Sequence, residues 1–179
     1  MPYVYHKKPK NMFGNILYPL NSLKHINQDL YKEESSKYKG REERMKTVIP
    51  ILNCLWNDVI HLSTINPRLI NKALVNSGHK VTDAQFFKID ISQIAQFPAV
   101  FFKYIHDVWE LLPDEFELLD IDKYAELKEV PIKTINHYRW CAENNKRPLL
   151  HHGIPHVLVK GEIDISNAKV VTWADNNLN

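Results

Sequence analysis

The chain has 179 residues, 44% of them apolar and 25% charged, which suits one well-buried domain and argues against an intrinsically disordered protein. Five glycines, with neither GxGxxG nor GxxxxGK(S/T) among them, argue against the usual glycine-rich phosphate loops. A net charge of +2 conceals an asymmetry, with ten Lys/Arg and five Asp/Glu through Lys46, and thirteen against sixteen from Thr47 onward.

Residues 3–6, Tyr-Val-Tyr-His, read as a short opening strand, β-branched and aromatic before a Lys/Pro break. Residues 12–17 read as a turn of helix ending near Pro19, and 27–38 as a charged helix stopped by Gly40. In the segment 47–65, TVIPILNCLWNDVIHLSTI, apolar side chains fill half of a wheel drawn at about 100° per residue, which predicts an amphipathic helix. Its other half carries Asn53, Cys54, Asn57, Asp58 and His61 in place of Lys, Glu or Arg, so this face is expected to meet something polar other than bulk water. Asn66-Pro67 then supplies a cap and a first-turn proline for a helix that Gly78 ends.

Beyond Gly78 the character changes. Residues 86–89 and 99–104 read as strands, 115–121 as an ambiguous apolar-acidic run, and Pro131 opens a helix reaching about Asn145. Residues 156–160 and 169–173 read as two strands paired with each other, with a bend at Gly161. Helices dominate the first half and strands the second, without βαβ alternation. That pattern predicts a single α+β domain, helical in its first half and packed on a mostly antiparallel sheet formed largely by the second half. No apolar run approaches the roughly 20 residues that span a bilayer, and MPYVYHKKPK lacks the apolar stretch of a signal peptide. Cys54 and Cys141, without CxxC spacing, read as free thiols of a reducing compartment, so the expected location is the cytoplasm and no membrane partner is expected.

Three groupings can carry chemistry. On the predicted amphipathic helix, Cys54, Asp58 and His61 share a face, the residue types of a thiolate relay or of a metal-assisted hydrolase. Packing of the same groups as a buried polar network is the simpler reading. Near the C-terminus His151, His152 and His156 gather three imidazoles in six residues; Gly153 and Pro155 forbid a helix there, so strand-entrance histidines are preferred to a metal site, and no metal is predicted. In the basic first third, Lys39, Arg41 and Arg44, with Tyr31 and Tyr38 nearby, offer phosphate contacts and stacking for a nucleic acid or an acidic protein partner.

Three pieces in chain order give a family resemblance. Tyr5-His6 is a strand with a histidine, residues 11–17 (NMFGNIL) are similar to the Asn-Leu-x-x-Ile-Leu helix of ADP-ribosyltransferase-like proteins, and residues 155–163 (PHVLVKGEI) are similar to their late strand. The nearest variant is the DNA-modifying toxin type. The resemblance implies NAD as the substrate that supplies ADP-ribose, with His6 on its ribose, Glu162 near the anomeric carbon, and Lys39 and Arg41 on phosphates. His156 stands where the catalytic Glu of that family is expected, and imidazole does not supply a carboxylate's negative charge.

Overall fold

A computed structural model describes residues 1–12, 14–106 and 110–174. In chain order its elements are β1 (Tyr3–Lys7), β2 (Ile16–Leu17), α1 (Leu20–Ile26), α2 (Gln28–Ser35), β3 (Val48–Ile49), β4 (Cys54–Leu55), β5 (Ile60–Ser63) and α3 (Pro67–Asn76). There follow β6 (Gln85–Asp90), β7 (Ala99–Phe102), β8 (Phe116–Leu118), α4 (Ile132–Glu143), β9 (His156–Val159), β10 (Ile163–Asp164) and β11 (Lys169–Thr172). Seven strands form one antiparallel sheet in the order β11-β6-β1-β5-β9-β7-β8, and five of the seven lie beyond Gly78. The architecture is α+β, as the element pattern predicts. Among the described residues no helix is long and apolar enough to cross a membrane.

The two faces of this sheet are packed differently. One face buries a single large cluster that includes Val4, Ile60, Leu62, Phe87, Val157 and Val159. The opposite face carries two smaller clusters. Val100, Phe102 and Leu158 belong to one, with Ile49 and Cys54 from the β3–β4 hairpin. Phe86 and Val171 belong to the other, with Ile70 of α3 and Tyr138 of α4. Strand alternation places Tyr5, His61, Ser63 and His156 on this second face, between the two clusters, because Tyr5 and His156 both pair with Ser63. A polar strip therefore runs through an otherwise apolar interior.

The segment 47–65 does not form a helix. Pro50 and the positive φ of Ile51 (70°) and Asn53 (47°) make a tight turn that folds 48–55 into the β3–β4 hairpin. Asp58 Oδ2 then accepts from the Leu55 amide at 2.8 Å, bending the chain before Val59 and Ile60 enter β5. The apolar spacing fits a helix, but β-branched residues and partners on both sides, β1 and β9, win locally. Residues 16–17 pair with β10 and are not helical; Phe13 of the predicted turn lies outside the described residues. The two late strands do not pair with each other: β9 lies between β5 and β7, whereas β11 pairs with β6 at the far edge.

Helix α3 follows its sequence signals, with the Asn66 side chain accepting from the Arg68 amide at 3.0 Å and Pro67 at the first position. Helix α4 positions the loop before β9. Thr134 Oγ1 donates to the His152 carbonyl at 2.7 Å, Tyr138 donates to the Leu150 carbonyl, and Thr64 Oγ1 donates to the Pro155 carbonyl at 2.9 Å. Gly153 sits against α4 with φ 73°, where an added Cβ would lie 2.9 Å from Lys133 Cγ. Gly153→Ala is expected to destabilise the fold by about 1–3 kcal/mol through positive-φ strain and crowding. Urea denaturation checks this; an unchanged midpoint would mean that the loop is not pinned to α4.

Candidate functional site

The polar strip holds an imidazole cluster. His61 of β5 and His156 of β9 have ring centroids 6.4 Å apart at 77°, and His151 lies 5.4 Å from His156 at 83°. The register of His6 opposite Phe87 assigns it by alternation to the other face of the sheet, although it still influences His61 and His151 electrostatically. Two strands and a loop pinned by α4 thus bring His61, His156 and His151 together.

The ring nitrogens are not equivalent. His61 Nε2 donates to the Trp56 carbonyl at 2.8 Å, and His156 Nδ1 donates to the Ile154 carbonyl at 2.6 Å. Each backbone carbonyl fixes a tautomer, leaving His61 Nδ1 and His156 Nε2 with the lone pair when the rings are neutral. His6 Nδ1 and His151 Nε2 are buried with no hydrogen-bond partner. Burial lowers the pKa of each of these rings. His61 falls to about 3, first from burial and then from the charge of His156; His6 and His156 fall to about 4, and His151 lies well below its ordinary value. Shifts in this direction favour the uncharged ring near neutral pH.

Around it stands a basic rim. Lys37, next to the imidazoles, acts on His6, His61 and His151, and is itself paired with Glu34 at 2.8 Å. Burial lowers the pKa of Lys7, and Arg147, Lys10 and Lys37 push it the same way while Glu34 opposes them. Arg44 lies 5.0 Å over the ring of Trp56, which packs at 4.5 Å on His61. Arg41 stacks 5.5 Å over Tyr38 and donates to the Lys37 carbonyl, whereas Lys39 is exposed. Cations and aromatic faces here can hold an anionic, ring-bearing ligand, and the lone-pair nitrogens can accept from its hydroxyl groups.

The other groupings separate. Cys54 packs into the apolar cluster with its thiol pKa raised by burial, Asp58 is engaged by Leu55 and by Asn21 Nδ2 at 2.7 Å, and His61 turns to Trp56. No hydrogen-bonded relay joins the three. His152 turns away from His151 and His156 to stack on His137, ring centroids 4.1 Å apart. Among the described residues no three His, Cys, Asp or Glu side chains are grouped to hold a metal ion. Glu162 is exposed, three residues beyond β9, and the carboxylate whose charge reaches His6 is Glu34. Sequence reasoning singled out each of the four histidines, and it gave no site role to Glu34, Lys37 or Trp56. The near-helical spacing of 47–65 hid the strand that joins His61 to His156.

Family models, curated proteins and solved structures give no match to this chain. The site's chemistry rests on its own geometry.

Rings neutral when folded and protonated when unfolded make stability depend on pH. Their folded pKa values lie below the unfolded value of about 6.5, so below that pH the unfolded state binds more protons and stability is lost as pH falls. Between about pH 5 and 6.5 the free energy of unfolding is expected to rise by about 1.4 kcal/mol per pH unit for each proton of difference, with more than one proton involved. Urea titrations across that range measure the slope. A flat profile would mean solvated rings.

Proposed function

We propose that the protein binds a pyrophosphate-bridged nucleotide of the NAD type at the imidazole cluster and acts as an ADP-ribosyltransferase-like enzyme. The observation carrying this reading is the grouping of His61, His151 and His156, with His6, Lys7 and Lys37 near enough to act on their charge. Cationic groups suit the pyrophosphate, and Tyr38 and Trp56 offer flat faces to a base or nicotinamide ring. The buried, unpartnered His6 Nδ1 suits a ribose hydroxyl, the role that the family resemblance gives to His6. Bound NAD supplies a glycosidic bond that breaks with its electron pair leaving on nicotinamide, and ADP-ribose passes to an acceptor nucleophile. Glu162 is the carboxylate that the resemblance designates for the developing cation.

A nucleic acid acceptor fits the same rim, since Lys7 with Arg147, Lys10 and Lys37 concentrates positive charge as a polyanion requires. An acidic protein would use the same surface. The free Cys54 and Cys141 suit a reducing compartment, the cytoplasm.

Thermal-shift and calorimetric titration with NAD and ADP-ribose test the binding. NAD is expected to raise the midpoint, because a ligand that binds only the folded state stabilises it. His6→Ala is expected to weaken NAD at least tenfold, and Glu162→Gln to keep binding while abolishing nicotinamide release. No response to NAD at millimolar concentration would refute the reading. Nicotinamide release unchanged in Glu162→Gln would remove that residue from the chemistry.

A further inference from the structure

From the cluster and the cations around it we infer that this is a proton-coupled oxyanion site, where a dianionic phosphate portion, such as a bridging pyrophosphate, seats against His61, His156 and His151 and brings a proton with it. The inference deepens the nucleotide reading by stating how the phosphate portion is held; it requires phosphoryl binding, not NAD turnover.

The geometry supplies the argument. Neutral imidazoles with lone pairs at His61 Nδ1 and His156 Nε2 repel an oxyanion, since lone pairs face lone pairs. One added proton turns such a nitrogen into a charge-assisted donor and removes that conflict. The second nitrogen of each ring is already held by a carbonyl, of Trp56 or Ile154, so the ring is oriented before it is charged. His151 Nε2 is buried and unpartnered beside His156, ready to donate in its own protonated or Nε2–H form.

The surrounding charges decide when protonation occurs. From β1 and the residue run after it come His6, Lys7 and Lys10; from α2 and the turn after it come Glu34 and Lys37. Arg44 stands over Trp56, with Tyr104 and Glu115 acting on its charge, and Arg147 lies beside Lys7. Cations predominate, so the unliganded cluster resists a proton. A dianion reverses that balance, because an opposite charge within a few ångströms favours the charged ring. Glu34 is already paired with Lys37, which leaves an incoming anion as the group able to supply the missing negative charge. Binding and protonation then assist each other, as linkage requires.

The probe is inorganic sulfate, which mimics phosphoryl oxygens without titrating near neutrality, added to the full chain in calorimetry at about pH 6, 7 and 8. Two buffers of different ionisation heat count the protons taken up. The expected result is uptake of about one proton per sulfate and affinity that falls about tenfold per pH unit as pH rises. The paired variant His61→Gln with His156→Gln is expected to flatten that dependence, and Lys37→Ala to weaken binding at every pH without changing its slope. If the paired variant does not fold, the wild-type proton count decides alone. No sulfate binding, or affinity independent of pH with no proton uptake, would overturn the inference. ADP-ribose run beside sulfate separates the two readings. Nucleotide binding without proton uptake refutes proton coupling but keeps the nucleotide site. Sulfate binding with proton uptake and no response to ADP-ribose or NAD supports the coupling and refutes the nucleotide site.

Discussion

Enclosing an imidazole is inexpensive while the ring is neutral and costs far more once it is charged, and the second face of the sheet depends on that difference. His61 and His156 stand on the sheet face between the cluster of Val100, Phe102 and Leu158 and that of Phe86 and Ile154, a setting that favours the uncharged ring. The carbonyls of Trp56 and Ile154 satisfy one nitrogen of each ring and direct the other toward the strip. The remaining ring nitrogens are what a ligand would meet. Packing and recognition use the same atoms, so neither can be changed alone.

Delivery of those atoms is a matter of topology. Strand β5 sits between β1 and β9, and the loop preceding β9 is held by Thr134, Tyr138 and Thr64, with Gly153 close on α4. The cations that act on Lys7 are Lys10 and Lys37 from the basic first third of the chain, together with Arg147.

Much of this was legible in the residue order. Asn66-Pro67 and Gly78 bracket α3, and the β-branched and aromatic runs at 3–6, 86–89 and 99–104 coincide with β1, β6 and β7. Local signals suffice where a cap, a proline or an apolar strand acts within a few residues. The segment 47–65 was misread because apolar spacing at a helical period does not reveal that Ile51 and Asn53 adopt positive φ or that partners wait on both sides. Strand partnership is likewise non-local, so proximity in sequence suggested pairing β9 with β11 when β9 inserts between β5 and β7. The unusual polarity of Asn57, Asp58 and His61 was nonetheless the right signal: His61 does face a polar interior, though from a strand.

The central claim is that four imidazoles are enclosed and uncharged near neutral pH. Nitrogen-15 NMR titration of the ring nitrogens, with histidine substitutions for assignment, reads this for His6, His61, His151 and His156 individually. The account predicts neutral rings down to about pH 5, with His61 and His156 in opposite tautomers set by their carbonyl partners. Titration of these rings near the ordinary value of about 6.5, as exchanging tautomers, would contradict it.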